Sequence, residues 1–291
     1  MFWYKLIEFL NRTTEKPKLF GWFHLTFLFI FIALGVLLVF IARKKNHKAY
    51  LITLSISYVL LVVGEIFKQF VYCFSIGEEA VIYDGYFFGV FPFFPCSAIF
   101  YLIPFLLFVR NKQVKYSVES FLIWTSLIGG LIGFIYPAYL MDPGVSYLYI
   151  CCHTLIHHGL MIVVSLFLIV YRRKEINFKY FMSSFFTLMG FVVVAEILNA
   201  TIPHINENAY KNFNGFDISW IIPPNLPIVK DIWANVPYPI YLILFIIGFL
   251  LMMFIIYVLY SLILLHKVDV NIREIKFIDN IYKKHSKNKK I

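Results

Sequence analysis

Residues 239–265 read PIYLILFIIGFLLMMFIIYVLYSLILL, a run of 27 positions without one charged side chain. As a helix rising about 1.5 Å per residue, it is long enough to cross a hydrocarbon slab of about 30 Å. Inside such a slab the backbone has no water to bond to, so an open strand or loop is excluded and a helix satisfies its own N–H and C=O groups. Six more stretches are long and apolar enough to cross: 21–42, 50–76, 91–109, 121–140, 149–171 and 180–202. The 91–109 stretch is the shortest and carries Pro95 and Pro104, which weaken a helix at its start and remove a backbone donor inside it.

The whole chain agrees with this reading. Of its 291 residues 61% are apolar and 14% charged, and its mean hydropathy is +0.79, against about 45–50% apolar and 25% charged in soluble domains. The expectation is an all-α, polytopic membrane helix bundle of about seven transmembrane helices, multi-pass in the cell membrane. It divides into an N-terminal lead (1–20), a transmembrane domain (21–265) with a long extracytoplasmic loop at 203–238, and a basic tail (266–291). Residues 1–18 lack an apolar core of the kind a cleaved signal has, so the first span is expected to persist.

Nineteen of the 26 Lys and Arg lie in 43–49, 110–120, 172–179 and the tail, which the positive-inside rule places in the cytoplasm, N-out and C-in. The net charge of +10 therefore reads as lipid contact and orientation signal, and no nucleic-acid partner is expected. Cys73, Cys96, Cys151 and Cys152 show no CxxC spacing, so neither a disulfide framework nor a metal site is expected, and no cofactor is called for.

An ionisable side chain within a span is costly, by about 2.5–3.5 kcal/mol on insertion scales, and each is a candidate for function or for a buried pair. Glu65 and Lys68, His153, His157 and His158, Glu196 and Asn199, and His24 all fall toward the outer ends of their spans, in one leaflet, while the inner halves read as apolar. This coincidence across alternating helices predicts a polar cavity open to the outer side, with the 203–238 loop (Asp217, Trp220, Asn225, Lys230, Asp231, Trp233) as its roof. Simpler readings stand beside each group. Glu65 and Lys68, at i and i+3, can neutralise one another. His153 and His157 have the i, i+4 spacing of metal ligands without a completing Cys, Asp or Glu. His158 can bond a neighbouring helix, with Gly159 allowing close approach, and Glu196 and Asn199 can be packing glue. Cys96 follows Phe91-Pro92-Phe93-Phe94-Pro95, at a helix start where a thiol becomes a nucleophile if a base is near, or it is a small apolar residue.

Four short motifs, in this order, carry a resemblance: Pro92-Phe93-Phe94-Pro95-Cys96, Ile128-Gly129-Gly130 followed by Pro137, His157-His158-Gly159, and Pro237-Tyr238-Pro239-Ile240-Tyr241. From the second span to the last the chain resembles the bacterial YwaF family of integral membrane proteins and its eukaryotic relatives, the transmembrane protein 164 family. The resemblance implies acyl transfer between phospholipids, with Cys96 as nucleophile and His158 as base. His157, Glu65, Lys68, Glu196 and Asn199 would support the site or bind substrate, and a phospholipid or lipidated acceptor would be the partner. The family often has His where Phe94 stands, which shifts a helping role toward His157, and the 206–210 segment matches only loosely. A small-solute transporter or substrate-binding membrane subunit, and a non-catalytic scaffold, are the other readings of the same cavity.

Overall fold

The computed structural model describes residues 2–86, 91–93, 95–135, 145–205 and 237–265. The body of the expected 203–238 loop, Phe94, Pro137 and the 266–291 tail lie outside the described residues.

Among the described residues six helices are long and apolar enough to cross a membrane: α2 (Trp22–Arg43), α3 (His47–Cys73), α5 (Lys112–Ile135), α6 (Leu148–Arg172), α7 (Phe178–Ile205) and α8 (Tyr238–Leu265). The remaining expected span, 91–109, forms a 3-10 turn (Pro95–Ser97) and the shorter α4 (Ala98–Phe108). Its 11 residues rise about 16 Å, half a slab. The other half of that crossing is not helical at 91–93, and backbone of this kind is tolerated at membrane depth only where protein covers it. Phe93 is accordingly 6% exposed, and α4 is covered by α3 and α5. Seven stretches were expected; six are full-length helices and one is half a helix. Apolar composition reports burial without telling lipid from protein, which is why the sequence does not separate the two.

The helices start where asparagines cap them. The Asn46 side chain accepts from the N–H of Lys48 (2.8 Å) and of Ala49 (3.4 Å), Asn111 from Gln113 (2.9 Å) and Val114 (3.2 Å), and Asn177 from Tyr180 (2.9 Å). These caps satisfy first-turn donors. They also start α5 at Lys112, nine residues before the apolar run at 121. All three stand at the end that carries Arg43, Lys112 and Arg172, the basic end; the opposite end is called distal.

Around the axis, α5 and α6 are central. Of the span within α5, 72% is buried, against 11% for α8, so α8 meets lipid on most sides and α5 on few. The α5–α6 crossing is close because Gly130 has no side chain: a Cβ there would lie 2.9 Å from the carbonyl oxygen of His158. Gly159 likewise admits the ring of Phe31 from α2, which a Cβ would meet at 2.3 Å. Small residues of this kind let membrane helices approach where no hydrophobic effect drives them together. The bundle is completed by α3 against α6, and α7 against α5.

The distal end has structure that composition does not announce. In the lead, α1 (Phe2–Leu10) buries Ile7 and Leu10 against Val71 of α3 and Ile150 of α6. Strand β1 (Thr13–Glu15) pairs antiparallel with β4 (Val145–Tyr147), and β2 (Phe74–Ile76) with β3 (Val81–Tyr83). His24 uses both ring nitrogens here. Its Nδ1 accepts from the Phe20 N–H (3.2 Å), which leaves Nε2–H to donate to the Phe134 carbonyl (2.9 Å). It is a clasp between α2 and α5.

Candidate functional site

Cys96 sits in the 3-10 turn ahead of α4, about 18 Å from the basic end of that helix and so deep in the bundle. His157 lies nine residues into α6, about 13 Å from its distal start. The two meet: Nε2 of His157 bonds to the carbonyl oxygen of Cys96 at 3.0 Å. Because a carbonyl only accepts, that nitrogen carries the proton, and Nδ1 of His157 is left as a bare acceptor, buried and without a hydrogen-bond partner. His157 is 6% exposed, with the ring of Phe100 5.2 Å away.

His158 turns to the other side of α6 and packs into a notch on α5. A Cβ on Gly133 would fall 2.3 Å from its Cγ. Gly129 also faces Cys96, whose Cβ is 4.0 Å from where a Gly129 Cβ would stand. Two glycines one helical turn apart therefore hold the space that Cys96 and His158 share. His157 and His158 are in edge contact, centroids 5.4 Å apart, and Nδ1 of His158 is again buried without a partner. Gly133 was not visible as a site residue from sequence, since its role is defined by distances between helices.

From this pair a polar ladder climbs toward the distal end. The His153 ring lies 5.8 Å from that of His157 and its Nε2 is 3.6 Å from Oε2 of Glu65. Glu65 also binds Nζ of Lys68 at 2.7 Å and accepts from the Gln69 amide. Tyr149 ties the same helices, donating its hydroxyl to the Gly64 carbonyl at 2.8 Å. The i, i+3 pair of Glu65 and Lys68 thus exists, with its carboxylate shared by α6, and the charge of Lys68 is near enough to act on Cys96, His153 and His157. Among the described residues no group of three His, Cys, Asp or Glu is placed to hold a metal ion. Glu196 is half-buried on α7, which packs on α5 and α8, while Glu65 is a carboxylate beside the His153 imidazole. The side chain of Asn199 lies outside the described part.

A second polar cluster corrects the expectation that embedded ionisable groups keep to one leaflet. Near the basic end Glu119, fully buried, receives Arg172 through Nε (2.8 Å) and Nη2 (2.9 Å) and the hydroxyl of Tyr50. Arg172 also reaches Glu175 at 2.8 Å. Sequence reading assigned Glu119 to a cytoplasmic loop, because the Asn111 cap that carries the helix past it was not recognised. Between the two clusters lies apolar packing in which Phe121, Leu122, Ile123, Val163, Val164 and Phe167 are wholly buried.

No curated protein matches the chain, and no solved structure does. The model of the TMEM164 family matches residues 19–258, from the start of α2 almost to the end of α8. With more than four fifths of its length matched, this multi-pass helical membrane protein belongs to the TMEM164 family.

Proposed function

We propose that the chain is an integral membrane acyltransferase that takes a fatty acyl group from a phospholipid onto Cys96. The observation that carries the reading is the pairing of a cysteine in a short helix start with two adjacent histidines, one bound to its carbonyl and both with Nδ1 unpartnered. A buried nitrogen without a partner is costly to leave so, and a proton or a substrate group repays it.

His158 takes the Sγ proton, and the thiolate attacks the ester carbonyl carbon of a phospholipid. The carbon–oxygen bond breaks, the departing glycerol oxygen takes the proton from the imidazolium, and a thioester stays on Cys96. A second lipid or lipidated acceptor then gives its hydroxyl or amine proton to His158 and attacks the thioester. The Cys96 thiolate leaves and recovers that proton. His157 holds the turn that presents Cys96, in a positioning role. The phosphate of the donor is held by Lys68, at the top of the ladder, where Glu65 and His153 offer a polar way down from the distal surface. No redox step or cofactor enters this balance.

The test is acyl trapping. The protein in phospholipid nanodiscs is incubated with a labelled acyl donor and digested for mass spectrometry. A hydroxylamine-sensitive adduct on Cys96, absent in His158→Ala, supports the mechanism; unchanged acyl transfer by Cys96→Ala overturns it. Solute transport is disfavoured by the apolar layer between the two polar clusters, and uptake of a labelled solute into vesicles would reverse this preference.

A further inference from the structure

A cleft of about 730 Å³ opens between the first turns of α5 and α7 at the basic end, the leaflet opposite the mouth of the Cys96 ladder. Its volume lies within the usual range for ligand sites, about 300–1,000 Å³. Its lining is graded along the bilayer normal. Lys112 and Lys179 stand exposed at the mouth beside Gln113, and among the described residues neither lysine has an ion-pair partner. About 7 Å deeper on α5, Ser117 shares a hydroxyl bond with Thr187 (2.6 Å) and bonds the Ser183 carbonyl (2.6 Å). The open flank is apolar, with Val114 38% and Phe186 74% exposed.

We propose that this cleft binds an anionic glycerophospholipid of the leaflet at the basic end. Two lysines at headgroup level complement the phosphate, the hydroxyls lie at the depth of the glycerol esters, and Val114 and Phe186 meet an acyl chain. Charge decides the occupant. The chain's own tail, 266–291, carries eight Lys and Arg against three acidic residues and is repelled by the same lysines that attract an anionic lipid. The proposal stands apart from the Cys96 chemistry, since no residue is shared.

The test is native mass spectrometry of the full chain in detergent, titrated with dioleoyl phosphatidylglycerol or dioleoyl phosphatidylcholine. A double variant, Lys112→Glu with Lys179→Glu, changes only exposed side chains. An equal charge change outside the cleft, Lys44→Glu with Lys48→Glu, serves as the control. The expected result is retention of phosphatidylglycerol over phosphatidylcholine, weakened on the order of tenfold or more in the cleft variant and much less in the control. Equal retention of the two lipids, or equal weakening in both variants, overturns the site. Amine cross-links from Lys112 or Lys179 to tail lysines in the lipid-loaded protein would give the cleft to the tail and overturn it as well.

Discussion

Replacing Gly133 by alanine sets two known quantities against each other. Alanine gains about 1 kcal/mol of helix propensity over glycine. In this position its methyl carbon would stand 2.3 Å from Cγ and 2.4 Å from Nδ1 of His158. Ordinary carbon contact begins near 3.4 Å, so the imidazole or the two central helices must yield by more than 1 Å. Overpacking of that size costs about 1–3 kcal/mol, and the ring cannot retreat freely with His157 and α5 around it. The net expectation is a destabilisation of up to about 2 kcal/mol, together with loss of any activity that needs His158 in place. The assay is a double-mutant cycle by thermal or denaturant unfolding in one detergent: Gly133→Ala, His158→Ala and both together. Truncating His158 removes the obstacle, so the alanine should then be neutral or stabilising, with a coupling of about 1–3 kcal/mol. A Gly133→Ala protein as stable as the parent, or a penalty that persists when His158 is absent, would refute the close packing of this notch.

Glu119→Gln should destabilise by about 2–3 kcal/mol, toward the low end for a broken buried pair because the Arg172 side chain is 25% exposed and keeps Glu175; Glu119→Leu with Arg172→Met should recover most of that in the same unfolding assay. His24→Leu leaves the Phe134 carbonyl and the Phe20 N–H without their partner, at a cost of about 1–3 kcal/mol, and amide hydrogen exchange should quicken around Phe20, whose φ of 54° the bond to His24 helps to hold. Tyr149→Phe removes one hydroxyl bond to Gly64 and should cost no more than about 1 kcal/mol; a larger loss in thermal stability would mean that the ladder depends on the α3–α6 tie more than its geometry implies.

The architecture was legible because hydrocarbon imposes length, and apolar runs of about 20 residues or more with few charges fold as spanning helices. What composition does not encode is which apolar surface meets lipid and which meets protein, so 91–109 read as a span when half of it is covered chain. Cys96, His157 and His158 stood out as candidates because polar residues are rare in such runs. The partners were less legible. That Glu65 stands beside His153 was not readable, since the order of helices around an axis leaves no trace in the spacing along each. Gly133 is silent in sequence because its role is an absence of atoms. Glu119 was hidden by a cap: Asn111 turns what looks like a charged loop into the first turns of α5.

The short ladder between Thr13 and Tyr147 sets a clock on how the protein is made. Its two strands are separated by the whole of α2 to α5, so Thr13 to Glu15 has no strand partner until Val145 to Tyr147 has emerged. At about 5–20 residues per second, that wait is on the order of ten seconds or more. Throughout it the apolar face of α1, with Ile7 and Leu10, is without the Ile150 side chain it later packs on. A ribosome-stalling series should therefore find Thr13 to Glu15 open to protease in nascent chains halted before residue 145, and shielded once β4 has been laid down.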